Sequence, residues 1–325
     1  MLCVVMEETG GPEVLRPRRV GAPVPGPGQV LVEVAYASVT FVETQTRSGD
    51  GPFGAPRLPR VPGNGVGGRV LAVGPGADAN LVGTTVVATT GGVGGYAELA
   101  VAGADSVFPV PGGLGLRDAV ALLADGRTAL LLHRQAEIAP GEKVLVEAAS
   151  GGVGSLLVQL AANAGARVVG AARGERKGEV VASLGAVHVD YSLPGWTGRV
   201  RDAAGGPVDV VFDGVGGAIG TEAVELLGPG GRVSRYGMAS GAEAGPGEEA
   251  LAARSIRVLG LSSAPSPAQN RALVGEVLRT AAEGGLRPLV GQTFPLALAS
   301  SAHAAIEARE TIGKTLLVTE SADVR

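Results

Sequence analysis

The stretch Val144-Leu145-Val146-Glu147-Ala148-Ala149-Ser150-Gly151-Gly152-Val153-Gly154 constrains the fold of this chain more than any other. It reads as a buried strand, a sharp turn and the opening of a helix that continues through Leu156, Leu157, Gln159 and Leu160. Gly151, Gly152 and Gly154 let the backbone turn tightly and approach a ligand closely, and the helix from Ser155 to Ala164 points its positive N-terminus at whatever lies there. Gly165-Ala166 ends the helix, and Arg167 to Ala172 supplies a second short apolar strand. A strand, a glycine turn, a helix and a strand make a βαβ unit, and the turn is a seat for the linked phosphates of a dinucleotide, with contacts from Ser150, Gly151, Gly152, Val153 and Gly154.

The chain contains 54 glycines, and Gly-Gly-Val-Gly occurs a second time at Gly91–Gly94, so the four letters alone prove little. The first copy runs into Gly95-Tyr96-Ala97-Glu98-Leu99-Ala100-Val101, which alternates like a strand and offers no helix to aim at a phosphate; it reads as a glycine-rich hairpin.

Around this unit the periodicity divides the chain. Short strands separated by Gly and Pro run from Leu2–Met6 through Gln29–Ala37, Gly67–Val73, Thr85–Ala88 and Tyr96–Val101, the marks of an antiparallel, partly barrel-like β domain. Glu43–Pro62 has no periodicity and reads as a loop beside a site. Leu116 to Leu132 has helical spacing. After the glycine turn, strands at Val168–Ala172, Val187–Val189, Val208–Asp213, Arg232–Tyr236 and Val258–Ser262 alternate with helices at Lys177–Leu184 and Gly220–Leu227, which predicts a doubly wound parallel sheet. Ala268–Gly284 reads as one amphipathic helix. Thr315–Thr319 reads as a strand returning to the β domain, so the parallel domain, residues 119–264, is an insertion between 1–118 and 265–325.

Composition excludes several classes. A net charge of −4 spread along 325 residues leaves no basic stripe for nucleic acid and no polybasic membrane anchor. No apolar run is long enough to span a bilayer, and Met1 to Met6 lacks the features of a secretion signal, so the expectation is a soluble cytoplasmic protein. Cys3 is the only cysteine, which leaves no cysteine-cluster zinc site and predicts no metal.

Several segments together resemble the medium-chain dehydrogenase/reductase superfamily, in its zinc-free NADPH:quinone oxidoreductase branch. They are Gly10-Gly11-Pro12-Glu13-Val14-Leu15, Pro25-Gly26-Pro27-Gly28-Gln29-Val30-Leu31-Val32, Arg47-Ser48-Gly49, Gly94-Gly95-Tyr96-Ala97-Glu98, Gly151-Gly152-Val153-Gly154, Val211-Phe212-Asp213-Gly214-Val215-Gly216 and Gly313-Lys314-Thr315. The resemblance implies a GroES-like β domain, a Rossmann domain, a homodimer joined by edge strands such as Arg257–Leu261, and hydride transfer in an interdomain cleft to a quinone or an α,β-unsaturated carbonyl. Where zinc-dependent relatives carry metal ligands, this chain has Ser38-Val39-Thr40 and Gly63-Asn64-Gly65.

Cofactor choice is read at the end of the second parallel strand. NAD-binding units place an acidic residue there, whereas this chain has Arg173, suited to a 2′-phosphate; Glu175 dissents. The resemblance adds Lys177 and Tyr191 as 2′-phosphate contacts, Thr128 under the nicotinamide and Lys314 near the diphosphate, so the expected cofactor is NADPH. Strand ends add Val215, Gly216, Tyr236, Gly237, Leu261 and Ser262. In the acceptor region the family's Asn, Asp and Tyr are replaced by Thr40, Glu43 and Gln45. Thr40 and Gln45 are candidate donors to a substrate oxygen, although Gln45 reads equally well as a polar loop residue. Asp125-Gly126-Arg127 is a second departure: Arg127 is a candidate receptor for an acidic substrate group, or else one half of a surface pair with Asp125. His133, His188 and His303 have no assigned role. Two other activities stay open, a dedicated enoyl reductase tailoring a polyketide-type substrate and a non-catalytic NADPH-binding protein.

Overall fold

The computed structural model describes residues 1–52, 54–261 and 265–322. The chain forms two compact units, Met1–Ala124 with Val274–Arg325, and Asp125–Leu273, divided within the helices Leu116–Ala136 and Pro267–Ala282.

The first unit is built on Gln29–Val39, where alternating valines place one face in the core. This strand is long enough to serve two partners along one edge: Gln29–Glu33 pairs antiparallel with Gly103–Leu99, and Tyr36–Val39 with Val318–Thr315. Its other edge pairs with Gly65–Val73, and Thr85–Thr89, Val107–Pro109 and Val290–Pro295 complete the sheet. The core contains Val30, Val32, Val34, Val66, Val70, Tyr96 and Leu317. Lys314–Val318 brings the C-terminal part of the chain back into this sheet, as the sequence predicts.

The second unit is a six-stranded parallel sheet in the order Val187–Val189, Arg167–Ala171, Lys143–Glu147, Val208–Asp213, Leu227–Arg235, Arg257–Gly260. The strand order reverses between Lys143–Glu147 and Val208–Asp213, so the carboxyl ends of these two strands flank the crevice where parallel sheets of this kind bind ligands. Leu145, Val169, Val211, Val233, Trp196 and Leu251 form its core. Among the described residues no helix is long and apolar enough to cross a membrane.

Three local expectations change. Glu43–Pro62 is not all loop, because Phe41–Ser48 is an α-helix. Thr40 and Glu43 form a capping box at its start, and Gly49, at φ 99°, closes it in the left-handed conformation. The residues it buries are Thr44 and Arg47, so it presents no apolar stripe to betray it. Gly91–Gly94 is a turn but not a hairpin, since Thr85–Thr89 pairs with Gly65–Val73 and Val107–Pro109, and Leu99–Gly103 pairs with Gln29–Val39. The helix after the second copy begins at Gly152 rather than Ser155, which puts Gly152, Val153 and Gly154 in its first turn.

Candidate active site

In the second unit, Lys143–Glu147 ends in Ala148, at φ 47°, and the chain reverses so that the Gly151 amide donates to the Ala148 carbonyl at 2.8 Å. Gly151 is the N-cap of Gly152–Asn163 and has no side chain with which to cap it, so the first-turn amides face outward as donors. A Cβ on Gly154 would overlap the Ala148 oxygen and lie 2.9 Å from its carbonyl carbon, so only glycine allows the helix to pack this closely on the strand. Ser150 is buried beside the turn, and the Ser155 hydroxyl donates to the Gly152 carbonyl at 3.1 Å. These features fit a diphosphate: a narrow backbone cradle, uncapped amides and the positive end of a twelve-residue helix.

Asp213 closes the neighbouring crevice wall. Its buried carboxylate accepts the amides of Val215 and Gly216 at 3.0 and 2.7 Å, fixing a turn in which Gly216 and Gly217 have φ of 69° and 58°. Tyr236 and Gly237 follow the next strand, and the Tyr236 hydroxyl donates to the Glu147 carbonyl at 3.3 Å. Leu261 is exposed beyond the outermost strand; Ser262 lies outside the described residues.

Glu147 is fully buried directly across from Asp213, in the register that pairs Phe212 with Val146. Neither of its carboxyl oxygens has a hydrogen-bond partner among the described residues, so nothing there offsets the cost of burying its charge. Burial first, and the Asp213 charge second, push the Glu147 carboxyl well above the usual carboxylate range. An acid whose folded-state pKa is raised costs stability once the pH exceeds its unfolded value, about 4.3. Glu147→Gln is therefore expected to melt like the parent near pH 4.5 and to become more stable than the parent by about 1–3 kcal/mol by pH 8. Melting curves across that range check the sign; a parent that gains on the variant as pH rises contradicts it.

The predicted 2′-phosphate contacts converge on one corner. Val189 pairs with Ala171, so Arg173 and Tyr191 each extend two residues beyond adjacent strand ends. Asp190 ties the two ends together, accepting the Gly174 amide at 2.8 Å while its other oxygen takes the Ser192 amide and hydroxyl. Burial opposes this charge, but those hydrogen bonds hold the Asp190 carboxyl below its ordinary value. Arg173 is exposed, and Lys177 is half-buried in the first turn of Glu175–Ser183. The dissenting Glu175 is the first residue of that helix, where an acidic side chain is favoured by the helix dipole.

Arg127 and Thr128 lie on Leu116–Ala136. Arg127 is half-buried; it donates to Asn270 Oδ1 at 3.0 Å and to the Thr128 hydroxyl at 3.4 Å. Burial lowers the Arg127 pKa, with Asp125 acting the other way. Arg127 is thus held by Asn270 and also interacts electrostatically with Asp125.

The first unit holds a different constellation. The Glu43 carboxylate accepts the Thr40 amide at 2.7 Å, the Asn64 amide at 2.9 Å and the Tyr96 hydroxyl at 3.2 Å. Tyr96 also meets His303 Nε2 at 2.9 Å. Burial raises Glu43, partly opposed by the Thr40 amide and the charge of buried Lys314. Burial also holds His303 neutral, its pKa lowered to about 3. The Thr40 side chain joins the capping box and also hydrogen-bonds the Glu43 carboxylate, favouring its charged form. Gln45 is half-buried on the same helix. Lys314 thus stands beside Glu43 and belongs to a different unit from the glycine turn. The Glu43–Tyr96–His303 connection escapes sequence reasoning because its members are 53 and 207 residues apart. Among the described residues no group of three or more His, Cys, Asp or Glu is placed to hold a metal ion.

Known proteins match this architecture along nearly its whole length. The profile described as "Zinc-binding dehydrogenase" matches residues 152–279, and that described as "Alcohol dehydrogenase GroES-like domain" matches residues 26–112. A 2-haloacrylate reductase from a Burkholderia species is 32% identical over 336 residues, covering 99% of this chain and 100% of the relative. A quinone oxidoreductase from Pseudomonas aeruginosa is 34% identical over 317 residues, covering 95% and 97%. The structure of Escherichia coli quinone oxidoreductase complexed with NADPH superimposes with a TM-score of 0.90 at 28% identity, covering 98% of this chain and 100% of that one.

Proposed function

Because this chain belongs to the medium-chain dehydrogenase/reductase family, among its quinone oxidoreductases, we propose that it is an NADPH-dependent reductase of quinones or other α,β-unsaturated carbonyls, working without metal. The observation that carries the reading is the glycine turn, where Gly154 seats the helix against Ala148 with no space for a side chain and leaves its first-turn amides uncapped. NADPH supplies a hydride when bound. Ser150, Gly151, Gly152, Val153 and Gly154 hold its diphosphate; Arg173, Lys177 and Tyr191 hold its 2′-phosphate. Val215, Gly216, Tyr236, Gly237 and Leu261 line the strand ends beside it, with Thr128 and Lys314 as further contacts. Thr40 and Gln45 donate to the acceptor oxygen, where negative charge develops as the acceptor is reduced. The same reading includes a cytoplasmic homodimer joined through the outer strand Arg257–Gly260.

NADPH oxidation against NADH oxidation, measured over quinones, neutral enones, enoyl thioesters and 2-halogenated acrylates, tests it. Turnover with NADPH and at least one acceptor class is expected. Tight binding of NADPH with no consumption in any pairing identifies a non-catalytic binding protein instead.

A narrower reading is a dedicated enoyl reductase for an acidic acceptor, favoured by half-buried Arg127 and by a relative named for an acrylate, which is a carboxylate. Loss of a charged hydrogen bond is worth about 1.5–3 kcal/mol, or roughly 10–100-fold. Arg127→Ala is expected to lose about that much kcat/KM on an acidic enone and less than about threefold on a neutral quinone. Equal losses on both remove the acidic-substrate role.

A further inference from the structure

The acidic residue two positions before Arg127 has a place of its own. A Cβ added to Gly152 would collide with the Asp125 carboxylate, coming within 3.0 Å of its Cγ and closer still to Oδ2. Gly152 is the first residue of the uncapped helix Gly152–Asn163, so a negatively charged side chain lies against the backbone that opens it. Asp125 stands one helical turn before Thr128, on the same face of Leu116–Ala136. The positive end of the helix favours the carboxylate there for the same reason that it favours phosphate. Two anions of like sign do not share that position in a half-buried setting without mutual repulsion.

We propose that Asp125 sets the affinity of this protein for dinucleotides: its carboxylate rests on the phosphate-binding turn in the free protein and turns away from it when the diphosphate enters. The inference builds on the reading of the turn as a diphosphate seat. Arg127, with which Asp125 interacts electrostatically, supplies a counter-charge for the displaced carboxylate. Tyr236, at the end of a neighbouring strand, also feels the Asp125 charge. The cost of displacement falls on every ligand that places phosphate at the turn and on none that binds only at the Arg173 corner.

Calorimetric titration of the full chain with NADPH and with adenosine 2′-phosphate, in the parent, Asp125→Asn and Asp125→Ala, separates these cases. Both variants are expected to bind NADPH about fivefold or more tightly than the parent, with the gap shrinking at high salt and adenosine 2′-phosphate unchanged. Asn keeps the shape and Ala removes it, so a shared gain identifies charge rather than packing. Free-protein melting temperatures of the variants equal to or slightly below that of the parent agree with a carboxylate that favours the unliganded helix. Unchanged or weaker NADPH affinity in both variants overturns the proposal, and weaker affinity makes Asp125 a direct partner of the nucleotide. If the parent binds adenosine 2′-phosphate but neither it nor the variants bind NADPH more tightly than that fragment, the diphosphate seat itself fails. If nothing binds, the proposed function fails with it.

Discussion

Valine at position 154 will abolish saturable NADPH binding at concentrations that fill the parent protein, raising Kd by about 100-fold or more. The Gly154 Cα faces the Ala148 carbonyl so closely that even one carbon overlaps its oxygen and lies 2.9 Å from its carbonyl carbon. These are backbone atoms at the end of the central strand and cannot turn aside as a side chain would. The helix must lift off, at a cost of about 1–3 kcal/mol in stability. Its first-turn amides move with it. Losing two charge-assisted hydrogen bonds to phosphate, about 1.5–3 kcal/mol each, accounts for the fold-change. Gly92→Val in the first Gly-Gly-Val-Gly copy is the control. Gly92 has φ of 91°, so a side chain there is strained, but nothing lies within 4 Å of its Cβ position and no helix follows. That variant is expected to lose stability and keep its NADPH affinity. Equal NADPH affinity in Gly154→Val and the parent, by calorimetry on folded protein, contradicts the assignment of the turn.

The second large effect is on cofactor choice. Arg173→Ala with Lys177→Ala is expected to lower kcat/KM for NADPH by about 100-fold while changing that for NADH by less than about threefold, because only NADPH carries the phosphate these cations meet. The corner is prepared for them: Asp190 pins the Gly174 amide, and Gly174, at φ 78°, fixes the direction in which Arg173 leaves the strand and the helix bearing Lys177 begins. Steady-state kinetics with both nucleotides checks it. A parallel loss with NADH makes the two residues structural.

The parallel sheet and the glycine turn are legible in the sequence because each rests on contiguous signals: short valine-rich strands, turn glycines and helices of ordinary length. The helix Phe41–Ser48 is not, because its interior contacts are polar, with buried Arg47 donating to the Gly10 carbonyl and to Glu307 in place of an apolar stripe. The spacing of Thr40 and Glu43 was the available signal. Tyr96 reads as one position in an alternating strand, yet it is fully buried between Glu43 and His303, and its role depends on contacts that no local pattern encodes. Asp125 illustrates the same limit. Sequence marks it as a departure, but only the fold brings its carboxylate to Gly152, 27 positions away in the numbering (152 − 125).

A structure of the chain crystallised with NADPH tests the phosphate seat most directly. The linked phosphates are expected on the amides of Gly152, Val153 and Gly154, the 2′-phosphate between Arg173, Lys177 and Tyr191, and the Asp125 carboxylate turned away from Gly152. A nucleotide bound elsewhere, or a turn still covered by Asp125 at saturating NADPH, contradicts this placement.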